Sequence, residues 1–173
     1  PAENHKPALV AHNYFSGCYV NVLSAYYVDN TNISCIQTST GVQYERTSYF
    51  YDNSFTSCQT GIYGGHFGDS IFIKNNRFIN GNDGLDLDEA YVEISDNHFS
   101  GCGIDLLWCD SGKIFNNVFY NIDHSALVGN VDIISNNLTL NCSKGLSGRG
   151  TSQFANNIFI NNEYVFDEFI TDN

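Results

Sequence analysis

The chain contains no methionine, only two prolines and only seven lysines and arginines. Each shortage excludes something. Both prolines, Pro1 and Pro7, precede Ala8. Every later residue therefore keeps its N–H, as a backbone committed to ladder hydrogen bonds requires. The few cations face nineteen carboxylates, for a net charge of −12. Nucleic acid and anionic membranes recruit cationic side chains to replace counterions, so neither is an expected partner. No apolar run approaches the roughly 20 residues that span a bilayer, and no membrane insertion is expected. No segment keeps the i, i+3, i+4, i+7 stripe of an amphipathic helix. A chain that opens "PAENHKP" without an initiator implies processing, such as removal of a secretory leader. Six cysteines favour an oxidising compartment. Together these point to a secreted protein, extracellular or at the cell surface.

Asparagine, by contrast, is abundant, with 23 copies, and it is periodic. Taking Asn13, Asn30, Asn53, Asn76, Asn97, Asn117, Asn137 and Asn157 as anchors gives steps of 17, 23, 23, 21, 20, 20 and 20 residues. Three residues before the anchors stand Val10, Tyr27, Phe50, Ile73, Ile94, Ile114, Ile134 and Phe154, all apolar. The residue just before each anchor is always polar: His12, Asp29, Asp52, Asn75, Asp96, Asn116, Asn136 and Asn156. Two after the anchors stand Phe15, Asn32, Phe55, Phe78, Phe99, Phe119, Thr139 and Phe159. A period near twenty with short β-branched or alternating pieces ("SIFI", "YVEIS", "VDIIS") predicts a solenoid of parallel strands. The polar pair predicts a corner, because Asn and Asp tolerate left-handed backbone and bond nearby backbone groups. Stacked amides bond from coil to coil, and the Phe following the corner fills the core. A leucine-rich repeat shares the period, but its Leu-x-Leu before the Asn is missing.

The Asn-x-Phe turn, followed by Gly-Ile/Leu-x-Leu ("GLDL" at Gly84, "GIDL" at Gly103), resembles the parallel β-helix repeat of the pectate-lyase-like superfamily. The resemblance implies an all-β, right-handed parallel β-helix of about eight coils. Residues 1–7 are expected to form a polar lead-in and residues 8–173 the repeat domain. The superfamily spans lyases, hydrolases, epimerases, adhesins and fibres, so fold alone does not choose a function.

The densest polar cluster is "GNDGLDLDEAYVE", continued by "GIDLLWCD". Asp86 and Asp105 hold the same place after Gly-Leu and Gly-Ile and are expected on adjacent coils. Carboxylates about 5 Å apart repel unless one is protonated or a cation intervenes. Three readings follow. The cluster is a solvated acidic face, a Ca²⁺ site built from Asp86, Asp88, Asp105 and Asp110, or a catalytic set of Asp83, Asp86 and Asp105 acting on a glycosidic bond. Asn82-Asp83-Gly84 faintly resembles the Asn-x-Asp motif of polygalacturonases, but the Asp-Asp, Gly-His-Gly and Arg-Ile-Lys motifs of that family are missing. A base and charge neutraliser would have to come from Lys74, Arg77, His66, His98 or Lys113. Calcium is the only cofactor these residues suggest.

Cys18, Cys35, Cys58, Cys102 and Cys142 share the position five after the anchor, with Cys109 off that line. Neighbouring coils satisfy the Cα spacing of a disulfide. Cys18–Cys35 and Cys35–Cys58 are therefore feasible pairs, and Cys109 has Cys102 or another subunit as candidate partner. The alternative is that the column is a set of small buried hydrophobes. Tyr26, Tyr44, Tyr49, Tyr63 and Trp108 are candidate platforms for sugar rings. Val118, Leu138 and Ile158 form an apolar outer strip suited to contact. No helical cap is apparent at either end and the loops are tight. The leading expectation is therefore a non-catalytic structural subunit that stacks end to end on its own copies. The alternative is a polysaccharide-active or glycan-binding module.

Overall fold

The structure, a computed structural model, describes residues 7–21, 25–35, 37–39, 47–65, 67–106, 109, 111–129, 131–149 and 152–170. Tyr44, His66, Trp108 and Asp110, all singled out above, lie outside the described residues. The described chain forms three eight-stranded sheets. The first runs from Ala8–Ala11 to Gln153–Ala155, the second from Tyr14–Ser16 to Ile158–Ile160, and the third from Tyr19–Asn21 to Tyr164–Ile170. Strands pair in parallel with their counterparts one coil away, as Arg77, Phe78 and Ile79 do with His98, Phe99 and Ser100. This is the expected parallel β-solenoid, and eight strands per sheet match the eight coils counted in sequence.

The first corner follows the polar pair. His12, Asp29, Asp52, Asn75, Asp96, Asn116, Asn136 and Asn156 all have φ between 51° and 59°. The anchor asparagines then form a continuous ladder. Each backbone N–H and each side-chain Nδ2 donates to Oδ1 of the next anchor; for Asn76 to Asn97 the distances are 2.8 and 3.0 Å. Nδ2 also donates back to a strand carbonyl of the preceding coil, as Asn97 does to Ile73 at 2.9 Å. Six of these residues, Asn30, Asn53, Asn76, Asn97, Asn117 and Asn137, are buried. The position needs an acceptor and two donors on one short stem, which asparagine supplies and aspartate or leucine does not.

Inside the corner the aromatic rings stack. Phe55, Phe78, Phe99 and Phe119 follow one another at centroid spacings of 4.8, 4.7 and 5.0 Å, nearly parallel. The two exceptions in this column are matched by exceptions elsewhere. Where Asn32 replaces Phe, Tyr27 replaces the usual Ile or Phe of the facing column and donates its hydroxyl to Asn32 Oδ1 at 2.7 Å. Where Thr139 replaces Phe, Asn162 replaces cysteine and donates Nδ2 to Thr139 Oγ1 at 2.7 Å. Gly61, Gly84 and Gly145 sit beneath the ring of the following coil, whereas Gly103 abuts the Ser125 and Ala126 carbonyls. A Cβ on Gly84 would lie 2.7 Å from Phe99, and one on Gly61 2.7 Å from Phe78.

A second left-handed corner was not foreseen. Four residues after each anchor, Gly17, Ser34, Ser57, Asn80, Gly101, Asn121, Asn141 and Asn161 all have φ between 51° and 67°. The third corner differs in kind. The first always has two residues, but the links from the third sheet back to the first range from two residues, 88–89, to seven, 40–46. The longest link falls in the 23-residue step from Asn30 to Asn53, while the other unequal steps reflect strand lengths and a second corner of two to four residues.

Candidate functional site

The outer row of the third sheet brings together the carboxylates expected to meet. In register, Tyr63 pairs with Asp86, and Asp86 with Asp105. Parallel pairing puts their Cα atoms about 4.8 Å apart. Asp83 opens the same strand, Asp83–Leu87, and pairs with Gly103. Asp86 is half-buried, and its carboxyl is pushed up to about 6, first by burial and then by the charges of Asp105, Asp88 and Asp83. Burial also raises Asp83, an effect that the nearby His124 opposes. Asp88 is raised by burial and by Glu89, and its Oδ1 is buried without a hydrogen-bond partner. The row is a crowded set of carboxyls in which Asp86 keeps its proton to a higher pH than an ordinary carboxyl does.

Sequence reasoning passed over His124. Its Nδ1 donates to Asp123 Oδ1 at 2.9 Å, and its Nε2 lies 3.4 Å from where a Cβ on Gly103 would stand. The ring thus borders Gly103 and is close enough for its charge to act on Asp83. The signal was present in "DH", which closes the second corner directly before the strand Ser125–Gly129.

Other candidates are placed differently. Arg77 and His98 are coil neighbours on the second sheet, and burial followed by the Arg77 charge lowers the His98 pKa. Lys74 and Lys113 belong to the first sheet, Lys74 near Asp96 at 3.7 Å. These groups are on different sheets from the Asp86 row. Tyr26 and Tyr49 stack on each other at 4.4 Å and 6°, and Tyr49 on Phe72 at 5.2 Å. Tyr49 is thus covered on both faces and offers no open platform for sugar rings, whereas Tyr26 is covered by a ring on one face. Tyr63, 42 % exposed beside Asp86, keeps that capacity. Val118, Leu138 and Ile158 stand in one outer row as expected. Tyr120, Leu140 and Ile160 form a second apolar row beside them.

All six cysteines are thiols in the structure. Cys58, Cys102 and Cys142 are buried and donate to backbone carbonyls of their own corner, at 3.7, 3.8 and 3.6 Å. Cys109 is buried and donates to the Leu87 carbonyl at 3.5 Å. Cys18 and Cys35 point their sulfurs at each other, 3.7 Å apart.

With this geometry established, the comparison with known families is decisive in one respect. Residues 3–133 match the family described as "Periplasmic copper-binding protein (NosD)". The chain belongs to the NosD family. The match and the fold together bear out the resemblance to the parallel β-helix superfamily, and the family's periplasmic description agrees with the extracytoplasmic location expected from the sequence. No curated protein and no solved structure gives a significant match. No helix among the described residues is long and apolar enough to cross a membrane.

The family description names copper, and the donor set of this NosD-family chain can be tested against it. Copper is held by convergent imidazole, thiolate and thioether groups. The chain has no methionine, and among the described residues no three His, Cys, Asp or Glu side chains converge to hold a metal. Cys18 and Cys35 bring two thiols together, and no third donor converges on both among the described residues. The described residues do not fit a resident copper centre. Asp86, Asp88 and Asp105 likewise form no three-carboxylate metal group, and Asp110 of the calcium set lies outside the described residues.

Proposed function

We propose that this NosD-family chain is a structural solenoid of the cell envelope or surface that stacks head to tail on further copies of itself. The polarity of the asparagine ladder carries the reading. Each anchor from Asn13 to Asn137 gives its backbone N–H and one side-chain hydrogen to the oxygen of the following anchor. The first described coil therefore presents the Asn13 oxygen outward and the last presents the Asn157 donors. Opposite ends of opposite character are what a heterologous, open-ended contact requires. The core residues of these coils, Val10 and Phe15 at one end and Phe154 and Phe159 at the other, are only partly buried. The apolar rows on the second sheet support lateral contact. Electron microscopy of the untagged chain tests the reading. Filaments are expected with an axial repeat near eight rungs, about 38 Å from the strand spacing. Asn157→Asp, which lacks the side-chain donors, should shorten them. Dispersed monomers at micromolar concentration would refute the stacking.

A second reading is favoured by Asp86 alone. A carboxyl held near 6 with another one coil away has the makings of an acid/base pair on a glycosidic bond, beside an exposed Tyr63. Cleavage of acidic or neutral polysaccharides that Asp86→Asn abolishes would establish it, and a failure to cleave any of them would dismiss it.

A further inference from the structure

Cys18 and Cys35 stand apart from the rest of the thiol column. Their sulfurs lie 3.7 Å apart on successive coils, and the contact is only part-buried. Cys35 is 1 % exposed, whereas Cys18 has intermediate exposure on the first described coil. One coil step, about 4.8 Å between Cα atoms, lies inside the span a disulfide accepts. Only rotation of the two side chains is needed to bring the sulfurs to bonding distance. Cys58, the other neighbour of Cys35, also hydrogen-bonds Cys35, but it is buried, with its own hydrogen aimed at the Asn32 and Thr56 carbonyls.

We infer that Cys18 and Cys35 are an oxidisable pair, in which Cys18 is the attacking thiol and Cys35 the resolving one, and that they close a disulfide fastening the first coil to the second. The oxidant class is a low-molecular-weight disulfide. The Cys18 thiolate attacks one sulfur of that reagent, breaks its S–S bond and expels one thiolate, which takes up the Cys18 proton. A mixed disulfide remains on Cys18. The Cys35 thiolate then attacks the Cys18 sulfur, the mixed bond breaks, and a second small thiol leaves with the Cys35 proton. The protein loses two hydrogens, and the reagent is reduced to two thiols. An oxidising envelope compartment would supply such a partner. Burial and the adjoining Cys35 raise the Cys18 thiol above its ordinary value, so the attack should quicken about tenfold per pH unit between 7 and 8.

The test uses the full chain, fully reduced, then exposed to oxidised glutathione, alkylated, digested without reductant and mapped by mass spectrometry. The expected product is a Cys18–Cys35 linked peptide, two hydrogens lighter than the reduced pair. It should persist in Cys58→Ser and vanish in Cys18→Ser. Three outcomes would overturn the inference: a Cys35–Cys58 link, glutathione retained on Cys18 without transfer, or six alkylated thiols.

Discussion

Each anchor asparagine satisfies groups on two other coils, and this sets the cost of losing one. In Asn97→Ala the Asn76 N–H and the Ile73 carbonyl lose partners in a buried setting. At about 1–3 kcal/mol per buried unpaired group, the variant should lose about 3 kcal/mol in urea unfolding followed by circular dichroism. Asn13→Ala, at the exposed start of the ladder, should lose well under half of that. Tyr27→Phe tests the paired exceptions. It leaves Asn32 without its 2.7 Å donor and should cost about 1–2 kcal/mol. Asp86 gives a pH signature. Its folded pKa, about 6, lies above that of an ordinary carboxyl. The stabilising contribution of the bound proton is fully present below the ordinary carboxylate value and is lost as pH rises through about 6. The melting temperature of the natural chain relative to Asp86→Asn should therefore fall between pH 4 and 7. A constant difference would mean that Asp86 is not perturbed.

At the scale of strands and corners, much was legible and the rest was hidden for physical reasons. The first corner and the core ladder could be read because each demands one chemistry: an amide at the anchor and a ring two residues on. The second corner demands only a left-handed backbone. Glycine, serine and asparagine all meet it, so Gly17, Ser34 and Asn80 share no letter to reveal it. The Asp86–Asp105 adjacency followed from the Gly-Ile/Leu register, but His124 did not, because a corner of variable length placed it there. The Gly-Ile/Leu motif itself acquires a cause. Gly84 leaves room for the Phe99 ring, and Ala126 occurs where the next coil carries Thr139 in place of Phe. Gly84→Ala should cost about 1–3 kcal/mol as overpacking. Combined with Phe99→Leu, the loss should fall short of the sum by at least about 0.5 kcal/mol, since the two sites touch. Strict additivity would separate the glycine from the ring.

For the whole molecule, charge and donor set make the distinguishing claims. A net charge of −12 opposes association between copies, so added salt should lengthen filaments by screening. Cation-specific lengthening with calcium alone would instead point to a bound ion. The copper in the family description should not be matched by this chain. After equilibration with copper and desalting, metal analysis should find less than one ion per chain, and a full equivalent would place a donor set outside the described residues.

The third corner, finally, behaves unlike the other two. Its links of two to seven residues leave the asparagine ladder and the ring stack in register. Peptide added there lengthens a tooth without bending the comb. The solenoid therefore has an edge along which sequences can be lengthened, exchanged or grafted most freely, each held at a fixed pitch of about 4.8 Å from the next. Diversification of this lineage should be concentrated on that edge, while the two-residue asparagine corner changes little.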